Sequence, residues 1–129
     1  FPKERVKTSP LQHLRNIGIP HKFLFPFMPS AVERFNLSGF DVVISSSSAY
    51  AHGVVTNLET KHICYYHSPM RYAWDYTHQY LKEQQLGLIG EWMASQMLHK
   101  VRMWDFLAAD PVEIALANSK TLQGRIRKY

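Results

Sequence analysis

The chain has 129 residues, 46% of them apolar, and a formal charge of +5 from 15 basic and 10 acidic side chains. That is enough for one domain with a real core and too little for two, and it excludes a disordered, collagen-like or linker protein. The positive balance favours anionic partners such as phosphate esters, nucleic acid or a membrane surface. No run approaches the roughly 18 consecutive apolar residues of a membrane-spanning helix. The single cysteine, Cys64, cannot close an internal disulfide, which points to a reducing compartment. The opening at Phe1, without Met or a signal-peptide pattern, reads as the start of a cropped or processed piece of something longer.

Residues 1–10 are basic and carry two prolines. Leu11, Leu14 and Ile17 share one face of a short helix that Gly18 and Pro20 close. Residues 23–28 are apolar but interrupted by Pro26, so a packed loop is expected there rather than a strand. Residues 29–35 suit a short helix with proline in its first turn. Residues 40–44 form a β-branched apolar run, the mark of a strand buried on both faces, and lead into a turn at Ser45 to Ser48. Residues 49–53 then open a short helix.

A second strand is expected over residues 62–66, ending at His67-Ser68-Pro69, with an aromatic-rich helix from Met70 to about Tyr80. Ile89, Met93, Met97, Val101, Trp104 and Ala108 step by three or four and form the core-facing stripe of a long helix over residues 87–109. Asp110-Pro111 ends it. Residues 112–117 are a third strand, after which Asn118 or Ser119 caps a basic helix running to Tyr129. Strands alternating with helices in this way define an α/β, Rossmann-like domain with a mainly parallel sheet, filling residues 1–129 as a single unit.

Ligands of open parallel sheets bind beyond the carboxyl ends of the strands. Three polar turns lie there: Ser45 to Ser48 (Ser46 and Ser47 at its centre), His67-Ser68, and Asn118-Ser119. Helix capping alone explains the serines and the asparagine one turn at a time. Three such turns on one edge point to a cleft that tolerates an anion. His67, at a strand end, is the candidate for donating to a phosphate or sugar hydroxyl, or for handling a proton near neutral pH. His62 and His67, five apart, fall on opposite strand faces. No HExxH or paired-cysteine spacing accompanies them, so no metal site is expected. Walker A, GxGxxG and GxSxG patterns are also missing. Cys64, inside a strand, reads as a small buried hydrophobe. The cluster Lys120, Arg125, Arg127 and Lys128 reads as the solvated end of a helix, and no nucleic-acid-binding signature comes with it.

The block His62-Ile63-Cys64-Tyr65-Tyr66-His67-Ser68-Pro69-Met70-Arg71-Tyr72-Ala73-Trp74-Asp75 resembles the N-terminal domain of glycosyltransferase family 4. Asp41-Val42-Val43-Ile44-Ser45-Ser46-Ser47 followed by His52-Gly53-Val54 is similar to that domain's serine-rich turn. Arg102-Met103-Trp104-Asp105 resembles the end of its long helix, and Ala117-Asn118-Ser119 with Arg125 to Tyr129 its last strand and helix. The likeness spans about residues 10–129. It implies a GT-B glycosyltransferase, in which a nucleotide sugar is held mainly by a C-terminal domain and this N-terminal domain receives the acceptor. His67 would then be the catalytic-side group beside the sugar or acceptor hydroxyl, with Ser68, Asn118, Ser119, Ser46 and Ser47 binding substrate. Transfer of a mannosyl or similar sugar would proceed with retention, without metal or cofactor, onto a lipid-linked or saccharide acceptor in polysaccharide or glycolipid synthesis. A cytoplasmic location, peripheral to the inner membrane, is implied as well.

The family's first strand with its Gly-rich loop is not found ahead of these segments, nor is the C-terminal domain with its glutamates spaced E-x7-E. Glu83 and Glu91 match that spacing by coincidence, in the wrong domain. This chain alone is therefore expected to be inactive. The competing expectation is a non-catalytic α/β module that binds an anionic ligand or a protein partner.

Overall fold

Val42, Val43 and Ile44 carry the β-branched side chains that favour extended backbone, and in the computed structural model, which describes Pro2 and residues 5–129, they open the first strand. The elements run α1 (Leu11–Asn16), α2 (His21–Leu24), a 3-10 turn (Phe25–Phe27), α3 (Met28–Glu33), β1 (Val42–Ser47), a 3-10 turn (Ala51–Gly53), β2 (Lys61–Tyr66), α4 (Thr77–Glu83), α5 (Gly87–Ala109), β3 (Ile114–Ala117) and α6 (Lys120–Lys128). The strands form one parallel sheet in the order β1-β2-β3. Val42 stands opposite Lys61, Ser47 opposite Tyr66, and Ile63 opposite Ile114. This is an α/β, Rossmann-like arrangement around a small open sheet. Among the described residues no helix is long and apolar enough to cross a membrane.

The two-residue period of the strands decides where the core lies. Ser45, Ser47, His62, Cys64 and Tyr66 are buried on one face. There Leu122 of α6 packs on Cys64 and Tyr66, with Ala117 and Ile126 beside them. A second cluster forms where Val101 of α5 meets Met70 and Ala73. Phe25, Tyr50, Tyr72 and Trp104 close around it through edge-on and tilted ring contacts. Gly53 is required at this point, since a Cβ there would lie 2.2 Å from the Trp104 ring.

Several expectations are corrected. The sheet is covered on one face only: Val42, Ile44, Tyr65, Ile114 and Leu116 are exposed on the other, Ile44 to 73%. The serines do not start a turn, because β1 continues through Ser47. Ser45 and Ser47 take histidine partners on the buried face, and the backbone stays paired with Cys64 to Tyr66. Residues 23–28 coil into helical turns, since Pro26 and Pro29 occupy first-turn positions where the missing N–H costs nothing. Residues 71–76 are turns, and α4 begins only at Thr77.

Helix α5 spans the residues expected, but its core stripe is real only in part. Leu98 and Val101 are buried, whereas Ile89 and Met93 face solvent. Its packed neighbours are α4 and the Ala51–Gly53 turn, so the outward side of the first turns is left uncovered. Leu98→Ala should therefore cost about 2–5 kcal/mol of unfolding free energy, because Leu98 is fully buried. Ile44→Ala should stay within about 0.5 kcal/mol despite lying in a strand. Urea denaturation at constant m-value checks both.

Candidate functional site

At the carboxyl edge of the sheet, alternation sends Ser46 and His67 to the same, open face, and both are exposed. The Ser46 hydroxyl lies 2.7 Å from His67 Nε2. The His67 amide donates to the Ser47 carbonyl at 2.8 Å, extending the β1-β2 ladder by one bond. The Tyr65 ring meets the imidazole edge-on at 4.9 Å. From the end of β3, Asn118 Nδ2 donates to the His67 carbonyl at 3.4 Å. Ser46, His67 and Asn118 thus meet at one edge, with His67 at the centre. Beside it, Asn118, Ser119, Lys120, Gln123 and Arg127 line an open groove of about 590 Å³.

Ser119 takes the capping role: its hydroxyl accepts the Leu122 amide of α6 at 3.2 Å. Ser68 is half-buried and lines a separate cavity of about 50 Å³ with His52, Tyr66, Met70 and Asp105. That is well below the roughly 300 Å³ of a small-molecule site. Ser47 does not share the open edge. It is 1% exposed, on the opposite face from Ser46, and its hydroxyl lies 3.2 Å from His52 Nδ1.

The buried face holds a chain of polar contacts. His52 Nε2 lies 3.1 Å from one Asp105 carboxylate oxygen. The other oxygen accepts the Trp74 indole N–H at 2.7 Å. One turn earlier on α5, Arg102 donates from Nε to the Ala73 carbonyl at 2.6 Å and from Nη2 to the Thr77 hydroxyl at 3.2 Å. Ser47, His52 and Asp105 follow the order of a hydrolytic triad, yet the buried Ser47 hydroxyl has no path to a substrate. The chain instead fastens the segment after His67 to α5 and β1. Trp74 also stacks on Tyr129 at 4.6 Å, and Arg125 pairs with Asp75 at 3.3 Å. Local spacing carries no signal for these contacts, because Asp105 reaches His52 and Trp74 across the whole helical crossover.

His62 and His67 lie on opposite faces as the alternation requires. His62 is fully buried, its Nε2 2.8 Å from the Ser45 hydroxyl, while its Nδ1 is buried without a partner. Burial pushes the Cys64 thiol up from its ordinary range, which keeps it protonated and unreactive. The same cause raises the Tyr50, Tyr66 and Tyr72 phenols. Among the described residues no group of three or more His, Cys, Asp or Glu side chains is placed to hold a metal ion. Comparison with protein-family models, curated proteins and solved structures gives no match.

Burial also holds the His62 imidazole below its usual range, outweighing the opposing pull of Glu113. The unfolded chain takes up a proton near pH 6.5 that the folded chain resists. Stability is therefore full above about pH 6.5 and falls as the pH drops below it. His62→Gln should remove up to one proton from that dependence, about 1.4 kcal/mol per pH unit. Urea midpoints for both chains between pH 7.5 and pH 5 check it. Parallel profiles would contradict it.

Proposed function

We propose that the chain is the acceptor-side domain of a retaining, nucleotide-sugar-dependent glycosyltransferase of GT-B architecture, acting in polysaccharide or glycolipid synthesis. The observation that carries this reading is the hydrogen-bonded Ser46–His67 pair, open to solvent at the carboxyl ends of two adjacent parallel strands. Such an edge is where α/β sheets receive ligands. The resemblance of the His62–Asp75 block to family 4 supplies the reaction class.

In this role the Ser46 hydroxyl donates to His67 Nε2 and fixes the imidazole tautomer with its proton on Nδ1. That proton is then aimed at a hydroxyl of the sugar or acceptor. Asn118 holds the His67 backbone from the next strand. Lys120 and Arg127 line the adjoining groove and favour a phosphate-bearing substrate without help from a metal ion. Ser68 and Ser119 act one step back, as a wall of the neighbouring cavity and as a helix cap, while Ser47 positions His52. The nucleotide sugar would be held chiefly by a second domain carrying the E-x7-E glutamates, so this domain alone would bind acceptor without turnover. A lipid-linked acceptor would bring it to a membrane surface, where its positive charge is an advantage.

The first measurement is the intact mass and terminal sequence of the native protein, together with sugar transfer from nucleotide-sugar donors. A native mass well above 15.0 kDa, with an E-x7-E pair downstream, is expected. In that protein His67→Ala should lower turnover by about 100-fold or more with the fold intact, within the range of lost acid–base catalysis. Unchanged turnover would remove His67 from the mechanism. A native mass near 15.0 kDa with saccharide or phosphate binding and no transfer would make the chain a binding module instead.

A further inference from the structure

Helix α5 exposes large apolar side chains on its outer side, among Glu91, Gln96, His99 and Lys100. Leu88, Ile89, Trp92, Met93, Met103, Phe106 and Leu107 are all 50–90% exposed. A surface helix ordinarily turns charged residues to solvent, and a contiguous exposed apolar stripe is the kind of face that takes a partner. The exposed residues follow a rule of their own. Ile89, Trp92, Gln96, His99, Met103 and Phe106 step by 3, 4, 3, 4 and 3, the seam of a coiled coil, and all six are exposed. The spacing is also palindromic. Turned end for end about the midpoint between Gln96 and His99, Ile89 falls on Phe106, Trp92 on Met103, Gln96 on His99, and Leu88 on Leu107.

We propose that this face is a homodimer interface, in which α5 of one copy packs antiparallel against α5 of a second. A two-fold contact must be self-complementary, each residue meeting in the partner the one that meets it. The palindrome meets that condition, and no like-charged pair is brought together. Gln96 would face the His99 of the second copy in a central polar layer, which sets the register at some cost in strength. Trp92 would face Met103 on either side, a sulfur–aromatic contact, and Ile89 would face Phe106 at the ends. At about 200 Å² for a fully exposed large side chain, the seven apolar residues present roughly 900 Å². A stable protein pair buries about 800 Å² per partner. The seam carries no carboxylate, and Lys100 flanks it. This inference is independent of the glycosyltransferase reading.

Sedimentation equilibrium of the chain at increasing concentration is the test. A species of twice the 15.0 kDa mass is expected at high micromolar concentration. Trp92→Glu alone and Met103→Lys alone, both at exposed positions, should each weaken association about tenfold or more while circular dichroism stays unchanged. The double variant should restore the dimer, because antiparallel packing sets Glu against Lys twice. A double variant that stays dissociated would overturn the antiparallel register. A wild-type chain that stays monomeric throughout, or that is monomeric and binds anionic phospholipid vesicles through Trp92, would overturn the dimer.

Discussion

The Asp105 carboxylate gives polar direction to three pieces of chain that the core already packs together. One oxygen reaches His52, just after β1, and the other accepts the indole N–H of Trp74, in the turns after β2. One turn earlier on α5, Arg102 adds a bond to the Ala73 carbonyl in the same turns and one to Thr77 at the start of α4. Residues 68–76 have no regular backbone ladder of their own, so side chains from α5 and α6 hold them in place. Buried charges are tolerated only when paired and hydrogen-bonded, and here each carboxylate oxygen has a partner. This fastening keeps the chain that leaves His67 directed over the buried face, so that His67 itself is left at the rim beside Ser46.

The strands were legible because β-branched runs and period-two alternation are local properties. The opposite orientations of His62 and His67 follow from counting alone. The serine stretch misled because serine has little preference for strand. What keeps Ser45 and Ser47 extended is a pair of histidines, one 17 residues away in β2 and one five residues on, that meet their hydroxyls on the buried face. The same holds for residues 23–28, where proline reads as a breaker until its place in the first turn is known.

Helix α5 shows what a hydrophobic period can and cannot reveal. Its extent was legible to the residue, since apolar side chains recur at helical spacing from residue 87 to residue 109. Two apolar stripes coexist on it, however, and periodicity does not say which one the fold covers. Leu98 and Val101 lie inward, while Ile89 and Met93, counted on the same stripe, stay largely exposed. Which side is covered depends on where α4 and the Ala51–Gly53 turn come to rest, and those contacts are tertiary.

The open edge and the open sheet face meet at His67. Ser46, Tyr65 and Leu116 form one row across the three strands. The row of Ile44, Ile63 and Ile114 behind it is apolar and, except for Ile63, exposed. A parallel sheet ordinarily has both faces covered. Here the open face runs to the β3 edge, where the groove lined by Lys120 and Arg127 also takes in Asn118, whose side chain donates to the His67 carbonyl. Behind Ser68, the 50 Å³ cavity is lined by His52 and Asp105, whose 3.1 Å contact fastens α5 to the segment after β1.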